Sequence, residues 1–331
     1  MEDKLEDVIK QYEFTVKAKY RARGGTLLDT DKVLLLAAPL MGSGKHLQVE
    51  HAVTQHLQRQ GYPDTDCIVC NREGGLSSKD AYKRVWVIRV HYQGEECNLR
   101  DEKQVAQAAA NLAVLHSKMT GIFPGEDLCR PANHSERELL AVYTRHSREM
   151  KRVRTYIREK NHKNEFEVAV LDSFESFFEC AEKSLHMLAE SGYESLYREA
   201  GEKGIYIHGS YTYHNILYGE DTIYTTHFGR TREGMQVQDL YDLLRKTMEK
   251  NQWKPGIGMG LIDAYQKIRR LSREEHSLLY IQLLYPEKYW KILNFYYNNK
   301  KSWISSRNLQ KLRDIQSQAA AKQSFLETVF L

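Results

Sequence analysis

The chain has 331 residues, 41% of them hydrophobic and 28% charged, with a formal net charge of +4. That length can bury a sizeable core in two domains or lobes, and so mild a charge neither demands nucleic acid nor excludes a local basic patch. With five scattered cysteines (Cys67, Cys70, Cys97, Cys129, Cys180), a charged N-terminus (MEDKLEDVIKQYEF) and no apolar run longer than 33–41, no disulfide framework, signal peptide or membrane span is expected.

In chain order, Phe14, Val16, Ala18 and Tyr20 alternate as a half-buried strand. Arg23-Gly24-Gly25 turns it, a second turn follows at 29–32, and 33–38 reads as a buried strand. A helix over 48–59 stops at Gly61-Tyr62-Pro63, and two more strands, 66–72 and 82–91, flank a Gly-Gly-Leu-Ser-Ser loop. Gln93-Gly94 marks a hinge, which divides the chain into a β-rich lobe over 1–93 and a mainly helical one over 94–331, an α+β organisation. From about 101 the period becomes helical, with one apolar face running from Val105 to His116. Ser135 and Glu138 form a capping box that opens a long helix. Next comes a stripe of Phe166, Val170, Phe174, Phe177, Ala181, Leu185 and Leu188, and further helices are expected over 239–250 and 260–270.

Several motifs suggest chemistry that their surroundings do not complete. Gly42-Ser43-Gly44-Lys45 follows an apolar strand, but a phosphate-cradling loop needs Gly where Pro39 stands and Ser or Thr in place of His46. It reads as a strand-to-helix connection. Cys67-x-x-Cys70 has no second pair to complete a zinc site, so both thiols are expected to be buried or half-buried and structural. Arg145, Arg148, Lys151, Arg152, Arg154 and Arg158 are interspersed with Glu149 and Glu159, which suits a solvated helix face or a dock for an acidic protein. Nucleic acid is not the expected partner. The 21 tyrosines, dense over 280–297, are expected to cover helices with their hydroxyls wet, the alternative being an adhesive surface.

The stretch 205–229, IYIHGSYTYHNILYGEDTIYTTHFG, organises the rest. A short strand, a polar loop holding Asn215, and a hairpin turning at Gly219-Glu220-Asp221 present residues as a kinase-like site presents its base and metal ligands. In the pattern H-G-D-x-x-x-x-N the Asp is the base and the Asn binds metal. Here His208-Gly209-Ser210 leads to Asn215 at the matching distance, and the metal-binding Asp expected before Phe228-Gly229 is His227. Ser210 has no basicity near neutral pH, and His227 offers magnesium nitrogen where it prefers oxygen. Glu50 suits the helix glutamate that steadies a phosphate-binding lysine, but 34–38 contains no lysine to partner it. The catalytic set is degenerate.

The chain resembles the CotS family of bacterial spore-coat proteins, relatives of the aminoglycoside and choline phosphotransferases. The likeness runs through LAVLH from Leu112, YTRHSREMKRVRTYIREKNHKNEFE from Tyr143 and SGYESLY from Ser191. It continues in HGSYTYHNIL from His208, DLYDLLRKTMEKNQW from Asp239 and YPEKYWKILNFYYNNKKSWI from Tyr285. The resemblance implies a protein-kinase-like two-lobed fold and synthesis in the mother-cell cytoplasm, without secretion. Assembly into the spore coat with other coat proteins follows. The expectation is a pseudokinase with no cofactor. The alternative is an active phosphotransferase on a small molecule or coat protein, using Mg-ATP. Glu50 and Asn215 would then face the nucleotide, Asn215 and His227 would stand at the metal, and Asp221 or Asp239 would supply a carboxylate. Asp239 on its own reads as a helix cap.

Overall fold

The computed structural model describes residues 2–22, 24–125, 139–298 and 306–330. So far as these reach, they form two compact units: Met1–Arg130, Glu199–Leu243 and Lys267–Arg269 in one, and Pro131–Arg198, Leu244–Gln266 and Arg270–Leu331 in the other.

The first unit begins with helix α1 (Glu2–Ile9) and a meander of β1 (Val16–Ala22), β2 (Gly25–Thr30) and β3 (Leu34–Pro39). Helix α2 (Gly44–Arg59) follows, then β4 (Ser78–Lys79) and β5 (Val85–Val90). The five strands form one antiparallel sheet in the order β1-β2-β3-β5-β4. Alternation decides which side chains are buried. Leu28, Leu35, Ala37 and Ile88 pack with Leu5, Val8, Ile9 and Tyr12 from α1 and the residues after it, and Val87 packs with Leu47 of α2 and Ile68. The spacing of Leu5, Val8 and Ile9 makes the α1 stripe, short enough to be hidden in a charged N-terminus.

The Gly-Ser-Gly-Lys segment is the start of α2. Ser43 is its N-cap, with Oγ accepting the His46 N–H at 3.3 Å, so the helix opens four residues before position 48. Residues 66–72 do not form the expected strand. Val69 N–H donates to Ile88 O and Val90 N–H to Cys67 O, and the segment then closes on an Asn71 turn. Anchors at both ends leave it a single bridge, Ile68 to Arg89. Cys67 is half-buried, but Cys70 is exposed, so the expectation of two covered thiols holds for Cys67 alone.

The same unit contains α3 (Glu102–Lys118), capped by Asp101, and short strands β6 (Glu95–Glu96), β7 (Tyr206–Ile207), β8 (Ile216–Tyr218), β9 (Ile223–Thr225) and β10 (Arg232–Glu233). They pair as β6-β8-β9 and β7-β10.

The second unit is helical. Helix α4 (Leu139–Glu159) packs on α5 (Glu165–Glu190). The proposed capping box of Ser135 and Glu138 lies outside the described residues. Two others are formed, Asn164 with Glu167 and Ser272 with Glu275. The stripe on α5 is as expected except at two positions: Leu185 is half-buried, and at its middle Phe178 is buried while Phe177 is half-buried, stacking on Tyr289 at 4.5 Å. On α4 the cations face outward, with Lys151 and Arg154 paired to Glu182 and Glu175 of α5. The chain continues through α6 (Tyr193–Glu202), α7 (Val237–Lys250), α8 (Pro255–Gln266) and α9 (Arg273–Leu284) to α10 (Glu287–Asn298), α11 (Ser306–Ser317) and α12 (Ala319–Phe330). The tyrosines over 280–297 are mostly core rather than coating. Tyr285, Tyr289 and Tyr296 are buried, and their hydroxyls donate inward to Tyr143 O, Val170 O and Glu167 Oε1 instead of to water. No helix among the described residues is long and apolar enough to cross a membrane.

Candidate functional site

The loop after β7 is built on one carboxylate. Asp239 sits in the first turn of α7, 1% exposed. It does not cap that helix. Its Oδ2 accepts the His208 N–H at 2.7 Å and a bond from His116 Nε2 at 3.2 Å, and its Oδ1 accepts the Gly209 N–H at 2.9 Å. Burial pushes the carboxyl up, but the bond and charge of His116 and the charge and N–H of His208 outweigh it, and Asp239 titrates below its ordinary value.

His208 is the next piece of the frame. Its Nε2 donates to Thr226 O at 2.9 Å, so its Nδ1 is the acceptor for the Ser210 N–H at 3.2 Å. That tautomer is neutral. Protonating Nδ1 would break the second bond inside a buried site, and burial above all brings the imidazole down to about 4 despite the nearby charge of Asp239.

Gly209 follows at φ +72°, and a Cβ built there would lie 2.3 Å from Arg230 O. Only glycine fits. Gly209→Ala is therefore expected to cost about 3 kcal/mol from left-handed strain and collision with backbone, measured as a lowered urea midpoint. Behind the loop, Asn111 of α3 donates to Tyr211 Oη at 3.0 Å and Thr225 Oγ1 at 3.1 Å and accepts from Tyr62 Oη at 3.0 Å.

The residues expected to do chemistry stand on this frame. Ser210 is half-buried. Asn215 donates its Nδ2 to Ser210 O at 2.8 Å and Ser210 Oγ at 3.3 Å, which leaves Oδ1 as its only side-chain oxygen for a metal. His227 is exposed and left-handed (φ 70°, ψ 49°). Ser210, Asn215 and His227 thus line one cleft, of about 960 Å³, together with Asp66, Arg89 and residues 91–94. That is the size of a small-molecule site. Their donors are a hydroxyl, an amide oxygen and an imidazole, with no carboxylate. Magnesium prefers carboxylate and water oxygens, so this set does not fit it. The carboxylates considered for a displaced role do not reach the cleft lining either, Asp239 being bound to the loop backbone and Asp221 exposed at the hairpin turn.

Two cleft residues escape the sequence pattern. The first is the cationic partner of Glu50. Arg89 of β5 donates to it through Nε at 2.6 Å and Nη2 at 3.0 Å. In the sheet register Arg89 stands opposite Leu36 of β3, so the cation comes from the neighbouring strand. Its signal is a lone charge inside the apolar run VWVIRV.

The second is Asp66, 7% exposed. Its Oδ2 accepts the His227 N–H at 2.8 Å, while Oδ1 is buried with no hydrogen-bond partner. Burial, reinforced by Glu50, pushes this carboxyl up to about 7 against the pull of the His227 and Phe228 N–H groups and Arg89.

The model of the family described as Spore coat putative kinase YutH matches residues 5–329. Spore coat protein S of Bacillus subtilis (strain 168) is 26% identical over 147 residues, 44% of this chain and 42% of that protein. The match therefore spans less than half the length of this curated relative. Among solved structures, an aminoglycoside phosphotransferase from Alicyclobacillus acidocaldarius superposes with a TM-score of 0.84 at 16% identity, covering 98% of this chain and 94% of its own. Spectinomycin phosphotransferase in complex with ADP and spectinomycin superposes at 0.62 and 11% identity, covering 95% and 94%. Likeness at such identities shows the fold, which is that of kinase-like phosphotransferases.

Proposed function

Because the chain belongs to the Spore coat putative kinase YutH family, we infer that it is a spore-coat component whose kinase-like cleft does not perform ordinary magnesium-dependent phosphoryl transfer. The observation that carries this is the pairing of an intact frame with altered working positions. His208, Gly209 and Asn215 keep the loop's hydrogen bonds, while residue 210 is a serine and residue 227 a histidine. A serine hydroxyl cannot accept the substrate proton as a carboxylate would, and the donors at the metal position are wrong for magnesium. The protein then acts through its surfaces, assembling with other coat proteins after synthesis in the mother-cell cytoplasm.

One observation favours an alternative. Asp66 places a carboxylate with one unpartnered oxygen beside the backbone of residue 227, where a displaced metal ligand or base of an active phosphotransferase would be useful. A single experiment separates the two. Purified protein is incubated with labelled ATP and magnesium, in the presence of coat extract or candidate small alcohols and amines, and transfer is followed with time. No transfer is expected. Transfer that disappears in Asp66→Asn and Asn215→Ala would overturn the proposal in favour of the alternative.

A further inference from the structure

Arg89 has more donors than Glu50 uses. A guanidinium carries five N–H bonds, and the ion pair occupies one on Nε and one on Nη2, leaving both on Nη1 and one on Nη2. The Arg89 side chain is 21% exposed and lines the cleft, while that of Glu50, at 2%, holds the guanidinium in place from behind. A kinase-like site supplies one fixed cation to the phosphates from β3, steadied by a glutamate of the following helix. Here the glutamate is present, β3 has no lysine, and the cation arrives from β5 in register with Leu36.

The rest of the lining supports the same assignment. Arg230 is exposed on the cleft and makes no ion pair among the described residues, and His227 replaces a carboxylate with an imidazole that can donate. A carboxylate at 227 would repel a phosphate unless a cation lay between them, whereas a histidine needs no such mediator. Of the two acids on the lining, Glu96 is paired with His214 at 2.6 Å, and Asp66 is buried against the His227 backbone.

We propose that this cleft holds the diphosphate portion of a polyphosphate ligand without a divalent cation, Arg89 making the contact that a β3 lysine would otherwise make. The ligand class is a nucleoside di- or triphosphate or an inorganic polyphosphate. The inference rests on the absence of magnesium chemistry at residues 210 and 227, and it gives that altered site a positive role. A bidentate guanidinium contact is short, directional and not reproduced by lysine.

The test is binding by the full-length chain, using calorimetry and thermal shift with ATP, ADP, sodium pyrophosphate and adenosine, each in EDTA and in magnesium. ATP, ADP and pyrophosphate are expected to bind in EDTA, with no strengthening by magnesium. Binding of ATP and ADP but not pyrophosphate would restrict the ligand to nucleotides and still support the site, provided Arg89→Lys weakens it. That variant keeps the charge opposite Glu50 and is expected to lose about tenfold in affinity with the fold intact by circular dichroism. Arg230→Gln, at an exposed position, is expected to lose about threefold. His227→Asp should weaken binding in EDTA about tenfold and make it recoverable with magnesium. The proposal is overturned by any of three results: no binding in EDTA, wild-type binding that requires magnesium, or folded Arg89→Lys with unchanged affinity. Adenosine binding without phosphate binding would also overturn it. Phosphate transfer would instead strike at the absence of magnesium chemistry, so the two ideas fail separately.

Discussion

Asp239→Ala is expected to destabilise the protein by about 4 kcal/mol, the range for removing one member of a buried charged network. The carboxylate accepts from His208 N–H, Gly209 N–H and His116 Nε2, and His208 and His116 are themselves buried. The alanine chain would leave them without the acceptor at a position that is 1% exposed, and unpaired buried donors cost far more than an average hydrogen bond is worth. Urea unfolding monitored by tryptophan fluorescence would show a midpoint lowered by most of its value. Asp239→Asn should fall between, because the amide can accept through one oxygen only and turns a donor towards either the His208 N–H and His116 or the Gly209 N–H. If Asp239→Ala were as stable as the parent, Asp239 would not be what sets the loop.

Asp66→Asn is expected to act in the opposite direction, and only in part of the pH range. The Asp66 carboxyl is raised from 3.8 in the unfolded chain to about 7 in the folded protein. A raised folded value means that the native state holds its proton more tightly. The associated stability is complete below the unfolded value and is lost as pH rises through about 7. Asparagine resembles the protonated acid at every pH. Asp66→Asn should therefore match the parent near pH 4 and gain steadily above it, reaching about 4 kcal/mol at pH 8, since each tenfold change in proton affinity is worth about 1.4 kcal/mol. Thermal unfolding of both chains from pH 4 to 8 gives the comparison. Parallel curves would mean that Asp66 titrates normally and that Oδ1 has found a partner.

These two residues also mark where sequence stops being informative. The helices are legible because burial repeats every three to four residues. Phe166, Val170, Phe174, Ala181 and Leu188 can be read as one face from their spacing alone, and all five are buried. The hairpin at 216–225 is legible because apolar strands flank a turn of Gly, Glu and Asp. The loop can be located because its residue types keep a fixed spacing. What supports the loop cannot be found in this way. Asp239 bonds to residues 30, 31 and 123 positions away, and Asp66 reaches residue 227 across 161. No local pattern encodes such distances. Glu50 stands out in the sequence but its partner does not, because the pairing depends on which strand lies beside β3, and that is a property of sheet order. The strand expected over 66–72 fails for a related reason. Its composition suits a strand, but both ends are anchored to other parts of the unit, and it meets β5 only at a single bridge.

The division of labour within the loop has a consequence for how such a protein can change over generations. Its shape depends on His208, Gly209, Asp239 and the Asn111 network, none of which would touch a transferred phosphoryl group. The base and one metal ligand of such a site would stand at positions 210 and 227, where the backbone is held by its neighbours and the side chain can differ. Selection for a stable fold acts strongly on the first set and scarcely on the second. A descendant can therefore exchange the working residues one at a time, without passing through an unfolded intermediate, and the architecture can outlast several different uses of the same cleft.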